Sequence, residues 1–322
     1  MAALLEVKDL VVNFALRGGE LTALNGISFS LNQGERLGLV GESGAGKSVA
    51  GFSIINLISK PGYIAGGRVL FQGREISVLP FAQLRGIRGN LITMVFQDPM
   101  MTLNPVLTVG TQMIETLQAH QRISDRDAAD IAVDKLRQVH IPSPERRLEQ
   151  YPHEFSGGMR QRIIIAIALL NNPQLIIADE PTTALDVTIQ AEIMDLFVEL
   201  CNQQEMGLIL IPHDLAVVYE TTEKIAVMYA GQIVEQGPTE EVVSSPMHPY
   251  TQGLIAALPQ GDQRGTRLNQ IPGTMPTLTS IPAGCSFHPR CSQAREICSR
   301  QTPALKPGQA RERLVACHML HQ

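Results

Sequence analysis

The sequence predicts an α/β protein with a mostly parallel, covered sheet. Short apolar runs alternate with helical stretches along most of the chain. One of those runs leads through a glycine-rich turn into a helix, a strand–loop–helix unit. Apolar residues make up 44% of 322, enough to build a large core.

Residues 5–14 and 21–31 are β-rich, and a buried strand is expected at 36–40. The glycine-rich turn follows, then a helix over 47–58. Strands are expected at 69–71 and 91–96. Beyond Asp98 the period becomes helical, with stretches at 109–121 and 125–140 broken by Pro142, Pro144 and Pro152. This reads as a helical insertion over about 98–158. A helix at 159–170, a strand at 175–178, a helix at 187–204 and strands at 208–211 and 225–228 complete the set. Residues 259–322 hold many prolines and four of the five cysteines. The chain therefore divides into a cassette of 1–258 and a small loop-rich C-terminal extension of 259–322.

Composition excludes several classes. A net charge of −5 with 18% charged residues argues against a basic nucleic-acid surface. Aromatic content of 4% without Trp argues against base stacking. The first ten residues carry Glu6 and Asp9 and no basic region, so they do not read as a signal peptide. The longest apolar run, 163–170, is too short to span a bilayer. Five cysteines without a secretion signal imply a reducing compartment, where disulfides are disfavoured.

Gly41-Glu42-Ser43-Gly44-Ala45-Gly46-Lys47-Ser48 fits the phosphate-loop pattern G-x-x-x-x-G-K-S/T, between a strand and a helix. Glycines let the backbone wrap a phosphate, and amide N–H groups and the helix N-terminus favour the anion. Lys47 is placed to reach the β- and γ-phosphates, Ser48 to ligate Mg²⁺, and Val49 continues the helix. The run 175–178 ends in Asp179 and Glu180. At a strand end, Asp179 suits Mg²⁺ and Glu180 suits a water attacking the γ-phosphate. Alone, such a pair reads as a solvated strand end; behind a phosphate loop it points to ATP hydrolysis.

Phe155-Ser156-Gly157-Gly158-Met159 opens a helix that Ser156 can cap. Here the chain resembles the ABC transporter ATPases, whose signature reads LSGGQ. It departs at Phe155 and Met159 and keeps the Ser-Gly-Gly centre. Phe14 resembles the aromatic that stacks on adenine, and Gln97 the glutamine that senses Mg²⁺ and the membrane subunit. Ala184-Leu185-Asp186 resembles the D-loop, and His213 the switch histidine. Taken singly, His213 reads as a strand-end histidine and Gln97 as a loop residue. Pro212 stands where the family has Thr or Ser, and a proline there puts local strand pairing in question. The resemblance implies a P-loop ABC ATPase fold with an antiparallel N-terminal β part and a helical subdomain. It also implies two cassettes paired head to tail, so that 156–159 serve the partner's nucleotide.

Within that family, His248-Pro249-Tyr250, Gly284-Cys285 and Pro289-Arg290-Cys291 resemble the C-terminal extension of dipeptide, oligopeptide and nickel importer ATPases. Asp98-Pro99 followed by Leu103-Asn104-Pro105 resembles the same branch. This implies an ATPase on the cytoplasmic face of the cell membrane. Its partners would be two permease subunits, a second and related ABC ATPase, and an extracytoplasmic solute-binding protein. A soluble non-transport ABC ATPase is the alternative, disfavoured by the single phosphate loop and the lack of a coiled-coil tract.

Cys285, Cys291, Cys298 and Cys317 do not have the short spacing of zinc knuckles. Spacing alone leaves a metal site and buried thiols both open. The segment has few apolar residues, which argues for a staple. Resemblance to family members that carry a 4Fe–4S cluster implies that these four ligate one. Zinc, helped by His288 or His318, is the alternative. Cys201 lies in a helical run and reads as a core thiol.

Overall fold

The computed structural model describes residues 3–98, 102–183, 185–258, 270–308 and 312–320. Pro99, Ala184 and the expected boundary at 259 lie outside them. In chain order the strands are β1 (Leu5–Leu16), β2 (Gly19–Leu31), β3 (Arg36–Val40), β4 (Gly62–Phe71), β5 (Arg74–Glu75) and β6 (Ile92–Val95). They continue with β7 (Leu175–Asp179), β8 (Gly207–Ile211), β9 (Lys224–Tyr229), β10 (Gln232–Pro238), β11 (Lys306–Pro307) and β12 (Leu314–Val315). The α-helices are α1 (Lys47–Ile54), α2 (Phe81–Arg85), α3 (Val109–Gln118), α4 (Asp125–Gln138), α5 (Pro144–Arg147) and α6 (Gly157–Leu169). After these come α7 (Val187–Gln204), α8 (Leu215–Thr221), α9 (Thr239–Ser244), α10 (Pro249–Ala256) and α11 (Glu296–Arg300). No helix among the described residues is long and apolar enough to cross a membrane.

The chain forms two compact units. The first comprises Met1–Asn32, Arg36–Val78 and Asp214–Gln322. Its N-terminal part is an antiparallel sheet in the order β2-β1-β4-β5. Leu5 and Val7, then Leu10 and Val12 of β1 are buried, a period-2 alternation on one covered face that shifts by one residue at the bulge between Val7 and Leu10. The strand expected at 69–71 is the end of the longer β4. Gly62, Gly66 and Gly67 hide the rest, because glycine has low strand preference. Parallel to β3 runs β9, and β10 returns antiparallel through a two-residue turn at Ala230-Gly231. The C-terminal extension adds β12 to the edge of β10, with Glu235 opposite Val315, and β11 beyond it.

The second unit comprises Gln33–Glu35 and Leu79–His213. Its strands β6, β7 and β8 are parallel neighbours in that order. Every residue of β7 and β8 is buried. That explains why they read as continuous apolar runs: both faces of a parallel sheet are covered. Helices α3 to α5 form the expected helical part. Ser124 caps α4 by accepting from the Asp127 amide, Asp125 and Asp127 sit in its first turn, and Lys135 and Arg137 in its last, matching the helix dipole. Ala128, Ala132 and Leu136 form its buried stripe.

Candidate functional site

In the first unit the segment 41–48 is a loop wound around a lysine. Gly41, Gly44 and Gly46 have φ of 150°, 83° and 102°. A Cβ on Gly41 would stand 2.2 Å from the Met228 carbonyl oxygen, so no larger residue fits there. Lys47 Nζ donates to the carbonyls of Gly41 (2.8 Å) and Glu42 (3.1 Å), and the residue is only 8% exposed. Ala45 is buried, Ser43 and Gly44 are exposed, and Ser48 and Val49 lie in the first turn of α1. The Glu42 amide donates to the Tyr250 hydroxyl at 2.8 Å. Phe14, half-buried on β1, lies over Gly62, where a Cβ would meet its ring at 2.7 Å.

In the second unit, predicted residues collect at the C-terminal ends of adjacent strands. Asp179 ends β7 and is buried. Gln97 lies two residues past β6, and His213 two past β8. Gln97 Nε2 donates to Glu180 Oε2 at 2.7 Å, and Thr183 Oγ1 donates to the same oxygen at 3.2 Å. Glu180 has φ of 46°, a left-handed conformation that costs a non-glycine residue energy, and its amide donates to the Ile211 carbonyl at 2.7 Å. Pro212 lies beyond the last residue of β8, so no ladder bond is lost to it, and β7 pairs with β8 as far as Asp179 opposite Ile211. His213 is exposed.

Ser156 caps α6, its Oγ accepting from the Met159 amide at 3.4 Å. Gly157 and Gly158 are packed by the start of α7. A Cβ on Gly158 would stand 2.7 Å from Ile189 Cγ2, and one on Gly157 would stand 3.3 Å from Leu185 Cδ2. Asp186 caps α7 by accepting from the Ile189 amide at 3.0 Å. Thus the signature and the D-loop, separate motifs in sequence, are in contact. Phe155 is buried and keeps the apolar character expected of that position.

The four C-terminal cysteines also converge. Cys285, Cys291, Cys298 and Cys317 line one cavity of about 20 Å³, with His248, His288 and His318. None of the five cysteines is in a disulfide, and Cys201 is a buried core residue, as expected. Among the described residues no group of three or more His, Cys, Asp or Glu side chains is placed to hold a metal ion. Burial pushes the Cys285 thiol up to about 11 and also raises Cys291 and Cys317. The donor set, four thiols with imidazoles beside them, is one that soft metals favour.

Other contacts staple the extension, and sequence reasoning missed them. Phe287 packs edge-on against Tyr229 (centroids 5.2 Å) within a core that includes Tyr250 and Val242. Arg313 pairs with Glu235 at 2.6 Å, both buried, and also donates to the Ser245 carbonyl. Glu235 further accepts from the amides of Met247 and His248. His248 is held neutral, its pKa lowered by burial to about 3, so that its Nδ1 accepts from the Tyr250 amide and caps α10.

Comparison with known proteins agrees with this geometry. The family model for ABC transporters matches residues 24–183, and that for the oligopeptide/dipeptide transporter C-terminal region matches 234–298. The oligopeptide transport ATP-binding protein OppD of Bacillus subtilis is 50% identical over 94% of this chain and 85% of its own length. Its Escherichia coli counterpart is 49% identical over 96% and 92%. Among solved structures, a dimeric ATP-binding cassette bound to ADP and phosphate after hydrolysis has a TM-score of 0.65 at 27% identity. It covers 73% of this chain, which covers 98% of it. The chain belongs to the ABC transporter ATP-binding proteins, in the group that carries the oligopeptide/dipeptide C-terminal region.

Proposed function

We propose that the chain binds MgATP and hydrolyses it to drive peptide import, as an ATPase subunit of an oligopeptide/dipeptide importer. The observation that carries the reading is the placement of Gln97, Asp179 with Glu180, and His213 at the C-terminal ends of three adjacent parallel strands. Ligands of open α/β sheets bind at such ends. A phosphate loop closed around Lys47 supplies the anion site in the other unit. The C-terminal region, which matches that of peptide transporters, disfavours a non-transport ATPase.

Each residue then has a role. Lys47 exchanges its two loop carbonyls for phosphate oxygens, and the amides of 43–48 complete the cradle. Phe14 stacks on adenine. Ser48, Asp179 and Gln97 hold Mg²⁺, which when bound offsets phosphate charge. Glu180, aligned by Gln97 and Thr183, orients and deprotonates the attacking water. His213 contacts the γ-phosphate. Ser156, Gly157, Gly158 and Met159 meet the nucleotide of a second cassette, and Asp186 holds the adjoining loop. The partners are two permease subunits, a second and related ATPase and an extracytoplasmic solute-binding protein, with the chain peripheral on the cytoplasmic face. The domain division is a cassette of 1–258 and an extension of 259–322.

Calorimetry tests the core of this reading. Lys47→Ala removes the cation nearest the phosphates and lowers ATP affinity by about tenfold or more. An unchanged affinity would contradict it. The finer reading of the tail is a 4Fe–4S cluster on Cys285, Cys291, Cys298 and Cys317, supported by four thiols around one cavity. Anaerobically purified protein would then carry about four irons per chain and absorb broadly in the visible. Colourless, iron-free protein with a folded tail rejects it.

A further inference from the structure

The C-terminal extension touches the phosphate loop directly. Arg290 ends the short turn His288–Arg290 and directs Nη1 at both carboxylate oxygens of Glu42, at 3.0 and 3.1 Å. Its remaining donors are also placed: Nε bonds the Pro272 carbonyl at 2.8 Å and Nη2 the Ile271 carbonyl at 3.5 Å. The guanidinium lies 5.8 Å from the Tyr229 ring centroid and 5.9 Å from that of Phe287. Its side chain is 6% exposed and that of Glu42 28%, so the pair is partly buried rather than a fully exposed surface ion pair. On the same side of the loop, Met275 Cε lies 3.0 Å from where a Cβ on Gly44 would stand.

Glu42 is an awkward residue for a loop that receives phosphates. Its carbonyl holds Lys47 and its amide is tied to Tyr250, so it cannot move away without disturbing the cradle. An unpaired carboxylate there repels the incoming anion. Arg290 cancels that charge, and a guanidinium that meets two oxygens also fixes the side chain's direction.

We propose that Arg290 is a positioning residue for nucleotide binding: it neutralises and fixes Glu42, so that the C-terminal extension sets the ATP affinity of the phosphate loop. The proposal rests on the reading of that loop as an ATP site. It makes the extension a working part of the ATPase rather than a bystander.

The test is ATP titration of the full chain carrying Arg290→Gln, Arg290→Lys, Glu42→Gln, and the pair Arg290→Gln with Glu42→Gln. Arg290→Gln leaves the carboxylate bare and weakens ATP binding by about tenfold. Arg290→Lys restores part of the affinity. The double variant, with neither charge, binds within about threefold of wild type. A purely structural Arg290 would instead leave the double variant at least as weak as the single. Should Arg290→Gln fail to fold, Glu42→Gln remains informative, because it leaves Arg290 as an uncompensated cation beside the loop and binds ATP at least as tightly as wild type. Unchanged affinity in Arg290→Gln, a double variant no better than the single, or a tenfold loss in Glu42→Gln would each overturn the inference while wild type still binds ATP. Wild-type chain that binds no ATP overturns the ATP-site reading itself, and the inference with it.

Discussion

Gln97 and Glu180, 83 residues apart in sequence, share a 2.7 Å hydrogen bond in which the amide donates to the carboxylate. A second donor, Thr183 Oγ1, reaches the same Glu180 oxygen, so one oxygen is occupied and the carboxylate is aligned. Gln97→Ala removes the principal aligning contact. Steady-state ATPase assays on the assembled complex should show kcat reduced about tenfold, because the alignment of Glu180 is lost. An intact kcat would show that Gln97 does not align Glu180.

The contact between the signature and α7 makes a stability prediction. A methyl on Gly158 meets Ile189 Cγ2 at 2.7 Å, and a β-branched side chain gives way poorly. Gly158→Ala should cost about 1–3 kcal/mol in denaturant unfolding, and Ile189→Ala in the same chain should recover much of it. Equal losses with and without the second change would show that the two residues do not press on each other.

Arg313 and Glu235 make a third. Both are buried, and Glu235 accepts from two amides besides the guanidinium. Arg313→Ala leaves a carboxylate buried without its counter-charge, at a cost of about 3–5 kcal/mol. The extension should then become sensitive to limited proteolysis, while Arg313→Met with Glu235→Gln resists it better. Wild-type protease resistance in Arg313→Ala would show that β12 is held by other contacts.

The strand–loop–helix unit, β7, β8 and the helical part were legible because their signals are local: glycine spacing, buried apolar runs, and caps such as Ser124 and Asp186. The hairpin from β9 to β10 was not. Its turn has Ala230 at φ 45° followed by Gly231 at φ 77°, and alanine stands where Asn, Asp or Gly would announce the turn. Charged Glu235 then interrupts the apolar pattern of β10, and its partner Arg313 is 78 residues away. The helix from Lys47 stops at Ile54, not 58, since Asn56 turns left-handed at φ 51°. Among site residues, the motifs named Gln97, Lys47, Asp179 and Glu180, but nothing local linked Arg290 to Glu42. The extension's stability is hard to read from its own residues for a similar reason. Phe287 folds into a core supplied by Tyr229 and Tyr250, so the segment's own apolar content was a poor guide.

The most direct test of ATP hydrolysis by this chain is turnover by Glu180→Gln in the assembled complex, measured beside ATP binding. The substitution keeps a group that can bond Gln97 but removes the base. Turnover should fall by about 10²-fold or more while ATP affinity is retained. Wild-type turnover in Glu180→Gln would contradict the assignment of Glu180 and the mechanism built on it.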